Sequence, residues 1–298
     1  MIGPTSGATR AAAPAGGRAT AGPAAPALRL RDAGLEVGGR TLWSDLDLTV
    51  APGEFVAVLG SNGSGKTSLL RTILGEAALT SGAGEISGRP LGRGSTDVGY
   101  VPQRIAIDAA TMIKARDVVR LGLDGHRWGM PIAFGARRRA TRARIDALLA
   151  SVGAESFGDA PVSMLSGGEL QRVRVAAALA SDPALLLCDE PLAALDLRHQ
   201  QDIAALIDHQ RRARNTAVLF VTHDINPVLP YVDQVLYLAG GSFRLGPPDE
   251  VLTSSGLSEL YGAPVDVLTV QGRIIVVSSV EAVGHQSHDD HGAEPGGW

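Results

Sequence analysis

The sequence predicts an α/β fold built on a largely parallel sheet. Three continuous apolar runs lie at residues 55–59, 184–188 and 217–221, and each suits a strand that is buried on both faces. Segments with helical spacing separate them, and strands that alternate with helices are typical of parallel sheets. The apolar share of 45% in 298 residues is enough for one large domain with a sizeable core.

Each element follows from its local pattern, in order along the chain. Residues 1–27 are rich in Ala, Gly and Pro and contain no acidic residue, so we expect them to be disordered. Alternating apolar and polar residues at 28–31 and 46–50 predict half-exposed strands before the first buried one. Further strands are predicted at 97–101, 184–188, 217–221 and 235–238, and helices at 67–74, 137–152, 170–180 and 197–213. We expect residues 28–281 to form one domain, followed by a flexible tail at 282–298.

Composition argues against several classes of protein. The net charge of −4 argues against general nucleic-acid binding. The single cysteine, Cys188, excludes an internal disulfide and fits a reducing, cytoplasmic compartment, and we interpret it as a small core residue. No uninterrupted apolar stretch reaches the roughly 18 residues of a membrane span. If this protein works at a membrane, it must therefore dock onto a partner that is embedded there.

A glycine-rich loop at residues 60–67 matches the phosphate-binding pattern of Gly, any four residues, and Gly-Lys-Thr. Glycines let backbone N–H groups close around phosphate oxygens, and the N-terminus of the following helix adds the positive end of its dipole. We expect Lys66 to reach the β- and γ-phosphates of ATP and Thr67 to bind Mg²⁺. The predicted nucleotide-binding residues of this segment are Gly60, Ser61, Asn62, Gly63, Ser64, Gly65, Lys66, Thr67 and Ser68.

Two acidic residues, Asp189 and Glu190, follow the apolar run at 184–188. At the end of a strand in a parallel sheet, a carboxylate lies beside the phosphate-binding loop and can hold Mg²⁺, usually through water. Glu190 is then the candidate general base for the attacking water. The two acidic residues and the loop together predict a phosphoryl-transfer site.

A second anion site is predicted at residues 165–169, Leu-Ser-Gly-Gly-Glu, just before a helix. Lys66 and Ser166 are 100 residues apart, so the chain carries two phosphate-binding helix starts. Two such sites facing one ATP suggest a nucleotide held between two copies of the chain.

These segments together resemble the ATP-binding subunits of ATP-binding-cassette (ABC) transporters over roughly residues 28–250. The resemblance implies a P-loop NTPase (RecA-like) core with an antiparallel β subdomain and an inserted α-helical subdomain at about residues 104–168. It implies that Gln103 senses the γ-phosphate and Mg²⁺ and touches the membrane partner. Asp189 would end the Walker B motif, Glu190 would be the catalytic base, and His223 would be the switch histidine that contacts the γ-phosphate.

The resemblance also implies contacts across a dimer of two such subunits. The signature at residues 165–169 would act on the ATP of the opposite subunit through Ser166, Gly167, Gly168 and Glu169, and Asp196 would be the D-loop aspartate. One position departs from the family: the aromatic residue expected before Gly38-Gly39, for stacking on adenine, is Val37, which can offer only an apolar contact. We expect the nearby Trp43 to pack in the core.

Weaker features indicate the cargo. Gln103 and Ser166 are only 63 residues apart, which leaves a compact helical subdomain typical of importer subunits. The segments 118–129 and 223–233 resemble subunits of manganese, zinc and iron importers. The tail contains three histidines and two aspartates that suit Zn²⁺, Mn²⁺ or Ni²⁺, although it also reads as a solvated tail without a role. These five tail residues are His285, His288, Asp289, Asp290 and His291.

The sequence therefore predicts an ATPase subunit of an importer of transition-metal ions, at the cytoplasmic face of the membrane. Its expected partners are a transmembrane permease, a second copy of itself and, through the permease, a separate substrate-binding protein, with no nucleic acid. One alternative is the same motor with another cargo, such as an iron chelate. The other is a soluble ABC ATPase without a transport function.

Overall fold

The computed structural model describes residues 25–103, 112–124 and 135–278. The expected disordered N-terminus, the histidine-containing tail and part of the expected helical subdomain lie wholly or largely outside these ranges. The strands are β1 (Leu28–Val37), β2 (Arg40–Val50), β3 (Phe55–Gly60), β4 (Ser81–Ile86), β5 (Arg89–Pro90), β6 (Val98–Val101), β7 (Leu185–Asp189), β8 (Ala217–Val221), β9 (Gln234–Ala239), β10 (Ser242–Gly246), β11 (Val265–Val270) and β12 (Arg273–Ser278). The helices are α1 (Lys66–Ile73), α2 (Ala115–Asp124), α3 (Ala136–Ser151), α4 (Gly167–Ala178), α5 (Leu197–Arg214), α6 (Pro248–Val251) and α7 (Ser254–Tyr261).

A six-stranded sheet in the order β10-β9-β3-β8-β7-β6 forms the centre of the fold. All of its neighbouring strands pair in parallel except β10, which runs antiparallel to β9. The three apolar runs of the sequence are its central strands β3, β7 and β8, which are buried nearly throughout. The α/β fold with a parallel core is therefore confirmed, and the carboxyl ends of β6, β7 and β8 meet at one edge.

A second, antiparallel sheet in the order β2-β1-β4-β5 covers one face of the parallel sheet. Alternate residues of β3 point to opposite faces, as expected for a strand. Val56 and Val58 pack in the core shared with the antiparallel sheet and α1, whereas Phe55 and Ala57 pack in the core shared with α4 and α5. Cys188 is fully buried, as predicted, and burial raises the pKa of its thiol.

The predicted bounds of α1, α3, α5 and the strands of the parallel sheet agree with the structure to within about two residues. The predicted strands at 28–31 and 46–50 were each six residues too short, because β1 continues to Val37 and β2 begins at Arg40, and α4 begins three residues earlier than predicted. The sequence patterns did not predict β4, β5, β10, α6, α7 or the C-terminal hairpin formed by β11 and β12. Helices α2 and α3 lie between Gln103 and Ser166, where a helical subdomain was expected, and the subdomain's limits at 104 and 168 stay a prediction. Among the described residues, no helix is both long enough and apolar enough to span a bilayer.

Candidate functional site

The phosphate-binding loop joins β3 to α1, and two of its glycines are required by the backbone. Gly60 has φ 142°, and a Cβ there would lie 2.2 Å from the carbonyl oxygen of Leu238. Gly65 has φ 101°, and a Cβ there would lie 3.0 Å from Cδ1 of Trp43. Trp43 is fully buried, as predicted, so the β1–β2 hairpin supports the loop from below. Any other residue at these two positions would be strained in the left-handed region of φ.

Lys66 closes over the same loop and is only 7% exposed. Its Nζ donates to the carbonyl oxygens of Gly60 at 2.7 Å and Ser61 at 3.0 Å. Burial lowers the pKa of Lys66, and the carboxylates of Glu190 and Asp189 oppose that shift. Ser64 Oγ is buried and has no hydrogen-bond partner within the described residues. A buried cation and an unpaired hydroxyl in a glycine-rich loop fit a phosphate group, as the sequence predicted for ATP.

Asp189 lies at the carboxyl end of β7 and is 7% exposed. Tyr100 Oη donates to Asp189 Oδ2 at 3.3 Å. Burial raises the pKa of Asp189, the Tyr100 hydrogen bond opposes this, and the Glu190 carboxylate adds to it. Burial, followed by the Asp189 charge, raises the pKa of Tyr100 to about 12. Tyr100 therefore stays a neutral donor to this carboxylate.

The sequence reasoning missed Tyr100, because its contact with Asp189 depends on which strands are neighbours. Tyr100 pairs with Leu187 across the parallel strands β6 and β7. Asp189 lies two residues beyond Leu187 and so on the same face of β7. The strand that leads to Gln103 was predicted, but its position next to β7 was not, and only that position brings the hydroxyl to the carboxylate.

Glu190 turns the chain out of β7 with φ 44°, which is unusual for a residue other than glycine. Gln103 Nε2 donates to Glu190 Oε2 at 2.7 Å, and His223 Nδ1 lies 3.7 Å from the same oxygen. These three residues follow β6, β7 and β8, so the sheet edge gathers all three predicted catalytic side chains. A left-handed residue at such a junction is the kind of strain that active sites retain.

The remaining predicted Mg²⁺ ligands fit a hydrated cation. Thr67 is exposed in the first turn of α1, next to half-buried Ser68, while Asp189 is the buried carboxylate of the site. No cluster of three or more His, Cys, Asp or Glu side chains that could hold a metal occurs in the described ranges. Mg²⁺ commonly binds through one or two carboxylates, waters and substrate phosphates, so a full protein cage is not needed.

The predicted second anion site forms the N-terminus of α4 and is closed by a capping box. The Glu169 carboxylate accepts from Ser166 N at 2.9 Å and from Ser166 Oγ at 2.8 Å, and these bonds lower the pKa of Glu169. A Cβ on Gly168 would lie 2.8 Å from the ring of His199, and one on Gly167 would lie 3.3 Å from Cδ2 of Leu195. The segment therefore packs against the start of α5 in its own chain.

Asp196 and Val37 are both exposed on the surface. Asp196 caps α5, accepting from His199 N at 2.9 Å, while its Oδ2 lies 2.7 Å from His199 Nδ1. Val37 is 55% exposed where β1 ends, and it pairs with Arg40 across a two-residue turn of Gly38-Gly39. Among the described residues, no hydrogen bond or ion pair joins the Ser166 segment or Asp196 to Lys66, Asp189, Glu190, Gln103 or His223.

Comparisons with known proteins agree with this geometry. The sequence pattern described as "ABC transporter" matches residues 43–193. The zinc import ATP-binding protein of Pseudomonas putida is 34% identical over 245 residues, which cover 82% of this chain and 86% of that protein. The hemin import ATP-binding protein of Streptomyces coelicolor is 36% identical over 252 residues, covering 82% of this chain and 88% of that protein.

Solved structures give the same fold. An inward-facing metal-chelate type ABC transporter superimposes with a TM-score of 0.71 at 25% identity, covering 86% of this chain and 99% of that one. The ADP-bound cassette MJ1267 of another ABC transporter superimposes with a TM-score of 0.65 at 18% identity, covering 76% of this chain and 92% of that one. At 18% identity, the second likeness supports the fold alone.

Proposed function

This chain belongs to the ABC transporter family and is an importer ATPase, and we propose that it energises uptake of a transition-metal ion, zinc first, through a separate membrane permease. The observation that carries the proposal is the cluster of Lys66, Asp189, Glu190, Gln103 and His223 at one edge of the sheet. Relatives with import names over most of the chain support the direction of transport.

Each side chain of this cluster has a different role in ATP hydrolysis. Lys66 and the N–H groups of its loop would hold the phosphates, and Thr67 and Asp189 would hold Mg²⁺, which would supply positive charge to stabilise the transferring phosphoryl group. Glu190 accepts the proton of the attacking water. Gln103 holds the Glu190 carboxylate by a hydrogen bond, and His223 lies within reach of the same oxygen.

A second copy of the chain is the proposed partner of the Ser166 segment. Within one chain, Ser166 caps α4 and Gly167 lies beside Leu195, and among the described residues no hydrogen bond joins Ser166 or Gly167 to the Lys66 loop. In a head-to-tail pair, this helix N-terminus faces the phosphates held by the other copy. A permease, which the names of import relatives imply, would then receive the motion at the cytoplasmic face of the membrane, and a substrate-binding protein would deliver the cargo.

The identity of the cargo is proposed from the names of the similar proteins alone. Zinc import proteins from several bacteria are about 34–35% identical over most of the chain. An iron chelate is the second candidate, because a hemin import protein is 36% identical. Manganese finds no support among these relatives. A role for the tail residues 285–291 in sensing metal stays a prediction, since they lie outside the described residues.

The decisive experiment is uptake by vesicles that contain this chain and its permease, with the substrate-binding protein outside and with Mg²⁺ and ATP in the compartment that the ATPase faces. We expect zinc uptake that Glu190→Gln abolishes and that Glu155→Gln, a matched change at an exposed glutamate outside the cluster, leaves intact. Hemin uptake without zinc uptake would move the assignment to the second candidate. A chain that hydrolyses ATP but binds no membrane protein would overturn the transport function.

A further inference from the structure

The C-terminal hairpin formed by β11 and β12 carries an apolar face that no described part of the chain covers. Its inner side chains Val265, Val267 and Ile274 pack against the core. Four of its six outer side chains are aliphatic and about half exposed: Leu268 (50%), Val270 (51%), Ile275 (46%) and Val277 (49%). Scattered exposed aliphatic residues are ordinary, but four on one face of a two-stranded sheet form a contiguous patch of the kind that marks an interaction site.

Hydrogen bonds to each of its two strands anchor the hairpin to the rest of the domain. Asn226 Nδ2 donates to the Ile274 carbonyl at 2.9 Å, and Ile274 N donates to Asn226 Oδ1 at 2.8 Å. On the other strand, Val267 N donates to Ser254 Oγ at 2.9 Å. Asn226 lies three residues after His223, so the hairpin is fixed to the loop that bears the predicted switch histidine.

The charges at the ends of the outer face make it complementary to itself. Register pairs Asp266 with Val277, Leu268 with Ile275, and Val270 with Arg273. The face therefore has an acidic residue at one end, an apolar centre, and a basic residue at the diagonally opposite end. Both charged side chains are exposed, and no ion pair within the described residues uses either.

We propose that this outer face is a two-fold contact surface for a second copy of the chain, formed without nucleotide. Consider a two-fold axis that lies in the plane of contact and reverses the order of the three cross-strand pairs. It brings Asp266 of one copy to the end of the face where Arg273 of the other copy lies. The aliphatic centres then meet, and the symmetry gives two equivalent pairs of Asp266 with Arg273. The contact does not depend on ATP, so it goes beyond the proposed function.

The size of the face sets the strength of this contact. Six side chains cover less than the roughly 800 Å² per partner that stable interfaces bury. The hairpin contact is therefore weak and reversible, and it keeps two ATPase copies close while their nucleotide sites are open. Because it raises the effective concentration of one copy near the other, it favours closure on ATP without contributing to the ATP site.

Sedimentation velocity of the full-length protein without nucleotide, at sub-millimolar concentrations, tests the proposal. We expect a reversible monomer–dimer equilibrium that Ile275→Lys weakens by at least about tenfold, because it buries a charge at the centre of the face. Leu121→Lys is the matched control, because Leu121 is also an exposed aliphatic residue but lies on α2. A wild-type protein that stays monomeric throughout overturns the proposal.

A charge exchange tests the symmetry of the contact. Asp266→Arg alone and Arg273→Asp alone each place like charges together and should weaken the dimer, whereas the double variant should restore it to within about threefold of wild type. Circular dichroism shows whether each variant is folded, and a folded double variant that fails to dimerise overturns the proposal. A second result would also overturn the proposal: a chain that ends at Ser278 dimerises whereas the full-length chain does not. In that case residues 279–298 would occupy the face in the full-length protein.

The failure of this proposal can be told apart from failure of the proposed function. Glu190→Gln with Mg²⁺ and ATP reports on the ATP-driven dimer, whatever the hairpin does. If this variant dimerises on ATP while the wild type stays monomeric without nucleotide, the ATPase assignment stands and the hairpin contact is wrong.

Discussion

Gln103 Nε2 lies 2.7 Å from Glu190 Oε2, which joins the loop that leads into the helical region to the predicted general base. The two residues are 87 positions apart in the chain and meet because β6 and β7 are neighbours in the parallel sheet. Gln103 was predicted to sense the nucleotide and touch the membrane partner. Because of this hydrogen bond, we expect that movement of the Gln103 loop would change the position of the Glu190 carboxylate.

The first prediction concerns this hydrogen bond. Gln103→Ala should lower kcat about 5- to 30-fold, because a hydrogen bond to a carboxylate is worth about 1–2 kcal/mol at a partly exposed site. ATP affinity should change little, since Lys66 and its loop are untouched. Steady-state ATPase assays and titration with a non-hydrolysable ATP analogue separate the two effects. Gln201→Ala, at an exposed position on α5, is the control and should change neither.

The second prediction concerns Tyr100, which acts through Asp189. Tyr100→Phe keeps the packing but leaves the buried carboxylate without this donor, so we expect a several-fold rise in the Mg²⁺ concentration that gives half-maximal ATPase activity. Magnesium titrations at saturating ATP measure it, and the midpoint of thermal unfolding should move little. Tyr261→Phe also removes a hydroxyl, one that lies 3.2 Å from Tyr237 Oη, and it serves as the control. An unchanged Mg²⁺ dependence in Tyr100→Phe would show that Tyr100 only fills space.

The third prediction concerns Val37, which stands where the family places an aromatic residue. If the adenine ring lies against this position, Val37→Tyr should tighten binding of the ATP analogue by about fivefold, because stacking adds roughly 1 kcal/mol. Val37→Leu enlarges the side chain without adding a ring and should give little gain. Calorimetric titration of the three proteins measures the difference. Equal affinities in the Tyr and Leu variants would place the base elsewhere.

The fourth prediction concerns the stability of the fold at the opposite end of the sheet. Arg211 is 7% exposed and donates to Asp208 at 2.7 Å and to Asp233 at 2.9 Å, and its guanidinium lies 5.8 Å from the centre of the Phe55 ring. Arg211→Met would leave the buried Asp208 carboxylate without its main partner, and we expect a loss of about 3 kcal/mol in the free energy of unfolding.

The neighbouring Arg212 provides a matched comparison within the same helix. It pairs with Asp208 at 2.9 Å, but its side chain is 66% exposed. Arg212→Met should therefore cost less than about 1 kcal/mol, because exposed ion pairs contribute little. Urea unfolding of both variants measures the two values. Equal losses in the two variants would mean that burial of the arginine does not determine how much its ion pair with Asp208 contributes to stability.

The alternation of buried strands and helices could be predicted from the sequence because each signal is local. The apolar runs of β3, β7 and β8 have the length and composition of buried strands wherever they lie in the sheet. Gly60 and Gly65 were predictable for the same reason, since the pattern of the loop itself requires backbone conformations that other residues avoid. Trp43 was correctly expected in the core, although its position beneath Gly65 was not.

The sequence by itself thus determined the buried central strands, the long helices and the residue types that could hold a triphosphate. The tertiary structure decided which of those segments are neighbours. Tyr100 meets Asp189 because β6 lies beside β7. No described part of the chain covers the outer face of the C-terminal hairpin, because it is the inner face that packs on the core. Periodicity records whether a side chain is buried, whereas the partner of that side chain depends on strand order and register, which pair residues far apart in the chain.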